Sequence, residues 1–179
     1  MRPLFEEPPD DLDSDWTHGV LLVRWGSAKG YDTIDVARAF RDSGARLLKT
    51  ALQLQESWEA AYPILFNYRH ALELYLKAII PAQHNHRLDV LASHLRLLLT
   101  GRYPADQIEI LIERIEEFHR MDPNSTEFRY ADTSDKTYER CKAPLPDAEI
   151  WVDFHHLATC MEQTCNALET IWRSRGLHS

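Results

Sequence analysis

The sequence predicts an all-α fold: a single bundle of about five helices, with an acidic tail in front and a long loop before the last helix. Three observations predict it. Five stretches repeat apolar residues at the 3.6-residue period of a helix. Proline, glycine and an Asp-Pro-Asn-Ser cluster punctuate the gaps between them. The chain has 179 residues, 44% of them hydrophobic, enough to bury one full core without disulfide staples.

The elements follow in order. Residues 1–15 hold Glu6, Glu7, Asp10, Asp11, Asp13 and Asp15 against Arg2 alone, so −5 of the formal charge of −8 sits there. With Pro3, Pro8 and Pro9 this reads as a solvated tail. Residues 16–179 are then one near-neutral domain. That excludes a uniformly basic nucleic-acid binder and leaves room for a local basic patch. Val20-Leu21-Leu22-Val23 is too short for periodicity to separate strand from buried helix turn.

The first helix is expected over 32–55, capped by Asp32, with Ile34, Ala37, Leu48, Ala51 and Leu52 on its apolar face and Phe40 and Leu47 beside it. Gly44 weakens its centre. A second is expected over 63–80, opened by Pro63, whose missing N–H costs nothing in a first turn. Leu65, Tyr68, Leu72, Tyr75 and Ile79 form its stripe, widened by Leu74, Leu76 and Ala78, so this helix is apolar over most of its surface and should be central. A third covers 87–100 and stops at Gly101. A fourth covers 104–120, with Ile108, Leu111, Ile112, Ile115 and Phe118 in period, and ends before Asp122-Pro123-Asn124-Ser125. Residues 126–146 read as a polar, irregular loop of a length that is often functional. The last helix is expected over 147–175, with Trp151, Phe154, Ala158, Met161, Cys165, Leu168 and Trp172 on its buried face.

No apolar run approaches the roughly 20 residues of a membrane span. Three cysteines, an odd number without a CxxC pair, point to a reducing compartment, and no secretory pattern opens the chain; a cytoplasmic protein is expected. Phosphate-loop, dinucleotide, serine-hydrolase and zinc-protease motifs are absent from the sequence.

The most distinctive stretch is Asn67-Tyr68-Arg69-His70-Ala71-Leu72-Glu73-Leu74-Tyr75-Leu76-Lys77-Ala78. Arg69, Glu73 and Lys77 recur every four residues, so they share one side of a helix, with His70 at its edge. Phe66 and Ile80 fall on the same face, which a purely solvated salt ladder would not carry. This run, the His86-Arg87-Leu88-Asp89-Val90-Leu91 helix start and the segment Asp122-Pro123-Asn124-Ser125-Thr126-Glu127-Phe128-Arg129-Tyr130 together resemble the HEPN-like family of small helical bundles. The resemblance covers 63–130, and the order and spacing of short motifs carry it.

The resemblance implies an α-helical homodimer that binds RNA or a nucleotide. Many such proteins are metal-independent endoribonucleases of toxin–antitoxin or phage-defence systems, working beside a protein partner. Their signature is an arginine, usually with a polar residue after it, and a histidine after four to six intervening residues. Arginine can stabilise charge on the scissile phosphate while histidine moves the proton of the 2′-hydroxyl. Arg87…His94, Arg114…His119 and Arg173…His178 have the spacing, about as many as composition scatters by chance, and none is a clear copy. On this reading Arg69, Lys77 and Arg129 hold phosphate, and His119 or His70 moves a proton. Glu73 and Asp122 orient the cations, and Tyr130 joins the site. No metal or other cofactor is expected.

Two alternatives stand beside it. In a non-catalytic protein-interaction module, the same charged residues would form a buried structural network. In a metal-dependent helical enzyme, Glu116-x-x-His119 and Asp153-x-x-His156 would supply ligands, with Glu56 and Glu73 as extra carboxylates.

Overall fold

A computed structural model describes residues 32–55, 58–80, 85–125, 127–130 and 151–176. The acidic tail, the Val20–Val23 run and most of the expected loop lie outside the described residues. The architecture is an all-α bundle: α1 (Thr33–Leu54), α2 (Trp58–Ile79), α3 (Leu88–Leu99), α4 (Ala105–Met121), the single-turn α5 (Glu127–Tyr130) and α6 (Phe154–Gly176). None of the described helices is long and apolar enough to cross a membrane.

α2 is the central element, as its broad apolar surface requires. It packs against α1, α3, α5 and α6. Ala71, Leu72, Tyr75, Leu76 and Ile79 on it are fully buried. α3 and α4 form an antiparallel hairpin whose facing stripes, Leu88, Leu91, Leu95 and Leu99 against Ile108, Ile112 and Ile115, close one side of the core. Gly101, at φ +79°, ends α3 in the left-handed conformation that glycine adopts without a Cβ clash. Gly44 has a different reason. It is buried in α1, and a Cβ there would stand 3.2 Å from the Tyr68 ring. The missing side chain lets α1 and α2 approach at that point.

Three expectations are corrected. α2 starts at Trp58 and not at Pro63, because Glu59, Ala60 and Ala61 are good helix formers and Ala60 packs on the core. Pro63 therefore sits inside the helix. α6 starts at Phe154, because Asp153 caps it: its Oδ1 accepts the His155 and His156 backbone N–H groups at 2.9 and 3.0 Å. Trp151, read as part of the buried face, thus precedes the helix and is 89% exposed. A turn of helix, α5, occupies part of the stretch read as irregular, and its Phe128 is anchored in the core. Cys160 and Cys165, five apart on α6, are both free thiols.

Candidate functional site

The three segments that carry the sequence resemblance meet at Arg69. This side chain leaves α2 and is 0% exposed. Its Nη1 donates to Glu73 Oε2 at 3.0 Å, one turn further along α2. Its Nη2 donates to the His86 carbonyl at 3.3 Å, in the segment entering α3. Its Nε donates to the Asp122 carbonyl at 3.1 Å, where α4 ends, and lies 3.2 Å from the Asp122 carboxylate. One planar guanidinium thus ties three elements by its fixed fork of donors.

Glu73, 2% exposed, is the second node. Its Oε1 accepts from Lys77 Nζ and from His86 Nδ1, each at 2.8 Å. Both donors converge on one oxygen, which explains why they stand 3.3 Å from each other. Burial by itself would raise the Glu73 carboxyl. The hydrogen bonds from Lys77, His86 and Arg69 outweigh it and hold the group below its ordinary value. Arg69 and Lys77 balance the charges of Glu73 and Asp122. The cluster is a paired, hydrogen-bonded network of the kind that buried charges require.

The two candidate proton carriers flank this network. His70, next to Arg69 on α2, lies edge-on to Phe40 at 4.4 Å between ring centroids and parallel to Phe66 at 5.9 Å. Burial lowers its pKa; Glu73 opposes this, while Arg69, Lys77 and Arg129 add to it. His119, near the end of α4, turns Nε2 toward Asp89 Oδ2 at 3.5 Å, and its Nδ1 is buried without a hydrogen-bond partner among the described residues. Burial lowers its pKa too, against the pull of Asp89 and with help from Arg87 and Arg69. Asp89 is held in turn by the Arg87 fork at 3.1 and 2.6 Å.

Of the eight candidate residues, the structure joins Arg69, Glu73, Lys77 and Asp122 directly. His70 and His119 sit to either side. Arg129 lies exposed on α5, donating to the Ser125 carbonyl, and its charge reaches His70. Tyr130 ends α5, and its side chain is outside the described residues. Sequence reasoning missed His86 as a partner of Glu73 and Asp89 as the partner of His119. The His86-x-Leu88 helix start was the available signal, since it placed His86 next to a chain reversal.

The described residues weighed as metal ligands turn to other partners, and Glu56 lies outside the described residues. Glu116 approaches Arg96 at 4.0 Å, Asp153 caps α6, and His156 lies 3.4 Å from the Cys160 sulfur. Among the described residues, no three His, Cys, Asp or Glu side chains are placed to hold one metal ion.

The two histidines give the fold a pH dependence. Each binds a proton less readily in the folded chain than its ordinary value of 6.5 implies. As pH falls past that value the unfolded chain takes up protons first, so stability present above it is lost progressively below it. We expect the urea midpoint to hold steady above neutrality and to drop between about pH 7 and 5. His70→Phe should flatten the drop, and an unchanged pH profile in that variant would contradict the assignment.

No family model, curated protein or solved structure matches this chain.

Proposed function

We propose that the chain is a HEPN-like helical module that binds RNA or a nucleotide at the end of the bundle where α2, the start of α3 and α5 meet. One observation supports this reading above others: segments 17 to 53 residues distant from Arg69 in sequence, the same ones that carry the resemblance, converge on its guanidinium. Arg69 is the internal pin of the site and not its phosphate ligand, because the guanidinium is buried and its Nε, Nη1 and Nη2 each donate within the protein. The outer rim supplies two cations, Lys77 and Arg129, and the hydrogen-bonding ring of His86. Lys77 is partly open, the His86 side chain is 75% exposed, and Arg129 is exposed. A rim of this kind suits phosphate oxygens, with affinity that falls as salt rises. In this proposal the protein acts in the cytoplasm as a homodimer, within a toxin or phage-defence system that includes a protein partner.

Fluorescence anisotropy of a labelled single-stranded RNA tests it. Binding should be saturable at low salt, and Arg129→Ala should weaken it while lowering the salt slope by about 1. Affinity indifferent to both salt and Arg129 would overturn the proposal.

Two further readings rest on particular observations. The complete commitment of Arg69 favours a protein-interaction module, which predicts no RNA binding at any salt concentration. The His119–Asp89 pair favours a metal-independent endoribonuclease in which Asp89 orients the imidazole. On that reading, wild-type protein cleaves labelled total RNA in excess chelator and His119→Ala does not; cleavage retained in the variant would remove His119 from the chemistry.

A further inference from the structure

A pair of metal-ligating side chains lies on α6, outside the Arg69 network. His156 and Cys160 stand one turn apart, so they project from the same side of the helix. The Cys160 sulfur lies 3.4 Å from His156 Nε2 and 3.8 Å from Nδ1. Zinc holds sulfur at about 2.3 Å and imidazole nitrogen at about 2.0–2.1 Å; at a tetrahedral angle these bonds set the two ligand atoms about 3.6 Å apart. The pair is already spaced for one cation, and a turn of the exposed imidazole aims a ring nitrogen at it.

The two described thiols differ. Cys165 is 0% exposed and burial pushes it up to about 12, so it is a protonated packing residue. Cys160 is a free, partly exposed thiol, and the charge of Arg114 on α4 acts on it. A cation nearby suits the thiolate form in which cysteine binds metal.

Two ligands do not close a site. A structural zinc takes four, and among the described residues no third His, Cys, Asp or Glu joins the pair. Asp153, one turn before His156, spends its Oδ1 on capping α6. A second pair is missing, and α6 can meet one. From Phe154 to Met161 it carries no Asp, Glu, Lys or Arg, and His155, His156 and Thr159 are exposed. Arg114 is itself paired with Glu117 at 2.9 Å. Two copies of this stretch therefore approach without strong like-charge repulsion. Across a two-fold axis the same residues face each other. The two copies then supply two thiolates and two neutral imidazoles, whose summed charge balances a divalent cation.

We propose that His156 and Cys160 form half of a zinc site, and that a second copy of the chain completes it with the same two residues. The metal joins the copies through α6. This rests on the homodimer in the function proposed above and not on RNA, whose binding in excess chelator is measured separately.

Sedimentation velocity of the full chain in a phosphine reductant tests the site. The chain should run as a monomer in excess chelator and as a dimer with zinc, the transition ending at one zinc per two chains. Magnesium should leave it monomeric, because that ion prefers oxygen ligands. Cobalt(II) in place of zinc should give thiolate-to-metal absorption and the intense visible bands of a tetrahedral centre. His156→Gln and Cys160→Ser should each abolish the zinc-dependent dimer. Their melting temperatures in chelator should match wild type, since both side chains reach solvent. Cys141→Ser should leave the zinc-dependent dimer intact. A monomer with or without zinc, a dimer that chelator does not dissociate, binding that ends at one zinc per chain, or a zinc-dependent dimer surviving in either ligand variant would each overturn the proposal.

Discussion

Arg69→Ala should cost about 3–5 kcal/mol of folding stability, the range for removing one partner of a buried ion pair. The reason lies in what the arginine leaves behind. Glu73 and Asp122 are 2% and 0% exposed, and truncation takes a buried cation from both. Glu73 keeps Lys77 and His86, but Asp122 loses the guanidinium that stands 3.2 Å from its carboxylate. The carbonyls of His86 and Asp122 also lose their donors. Urea unfolding by circular dichroism measures the change. A double-mutant cycle with Glu73→Ala should return a coupling of about 0.5–3 kcal/mol, as residues in one network do. A loss below about 1 kcal/mol in Arg69→Ala, the level of an exposed pair, would show that the network contributes little to the fold. The same network sets an acid limit. Because the folded Glu73 carboxyl lies below its ordinary value of 4.5, its contribution is complete above that value and is lost as pH falls through the lower folded one.

Leu72→Ala should be as severe, at about 2–5 kcal/mol, for an unrelated reason. Leu72 is 0% exposed, on the helix that α1, α3, α5 and α6 pack against. Deleting its side chain removes buried apolar area and leaves a cavity into which a close-packed core relaxes only in part. Leu97→Ala is the control: the side chain is 75% exposed on α3, and its loss should stay within about 0.5 kcal/mol. If the two variants unfold at the same urea concentration, α2 is not the centre of the core.

The fold was legible where apolar periodicity was long and bounded by strong punctuation. The α3–α4 hairpin shows this: Gly101 and Pro104 mark the turn, and both helices lie within a residue of their expected ends. Boundaries failed where two signals competed. Pro63 is a good first-turn residue, but the helix formers before it had packing of their own. The last helix, expected from 147, opens at Phe154 because Asp153 caps it.

The candidate site was legible along α2, because a four-residue repeat fixes Arg69, Glu73 and Lys77 on one side of any helix. The burial of that side was only hinted at by Phe66 and Ile80. Which carbonyls Arg69 would meet was not legible. His86 and Asp122 come to it through chain reversals whose geometry no local pattern states. The same holds for Asp89 and His119, which lie on the facing helices α3 and α4.

The central claim is that Arg69 holds the site together from inside while Arg129 and its neighbours meet the ligand from outside. Arginine side-chain ¹⁵N–¹H spectra, recorded while single-stranded RNA is added, test it most directly. The Arg69 Nε–H should exchange slowly with water and keep its shift, while the Arg129 Nε–H moves with saturation. An Arg69 signal that exchanges freely and moves with RNA, beside a stationary Arg129, would contradict the account.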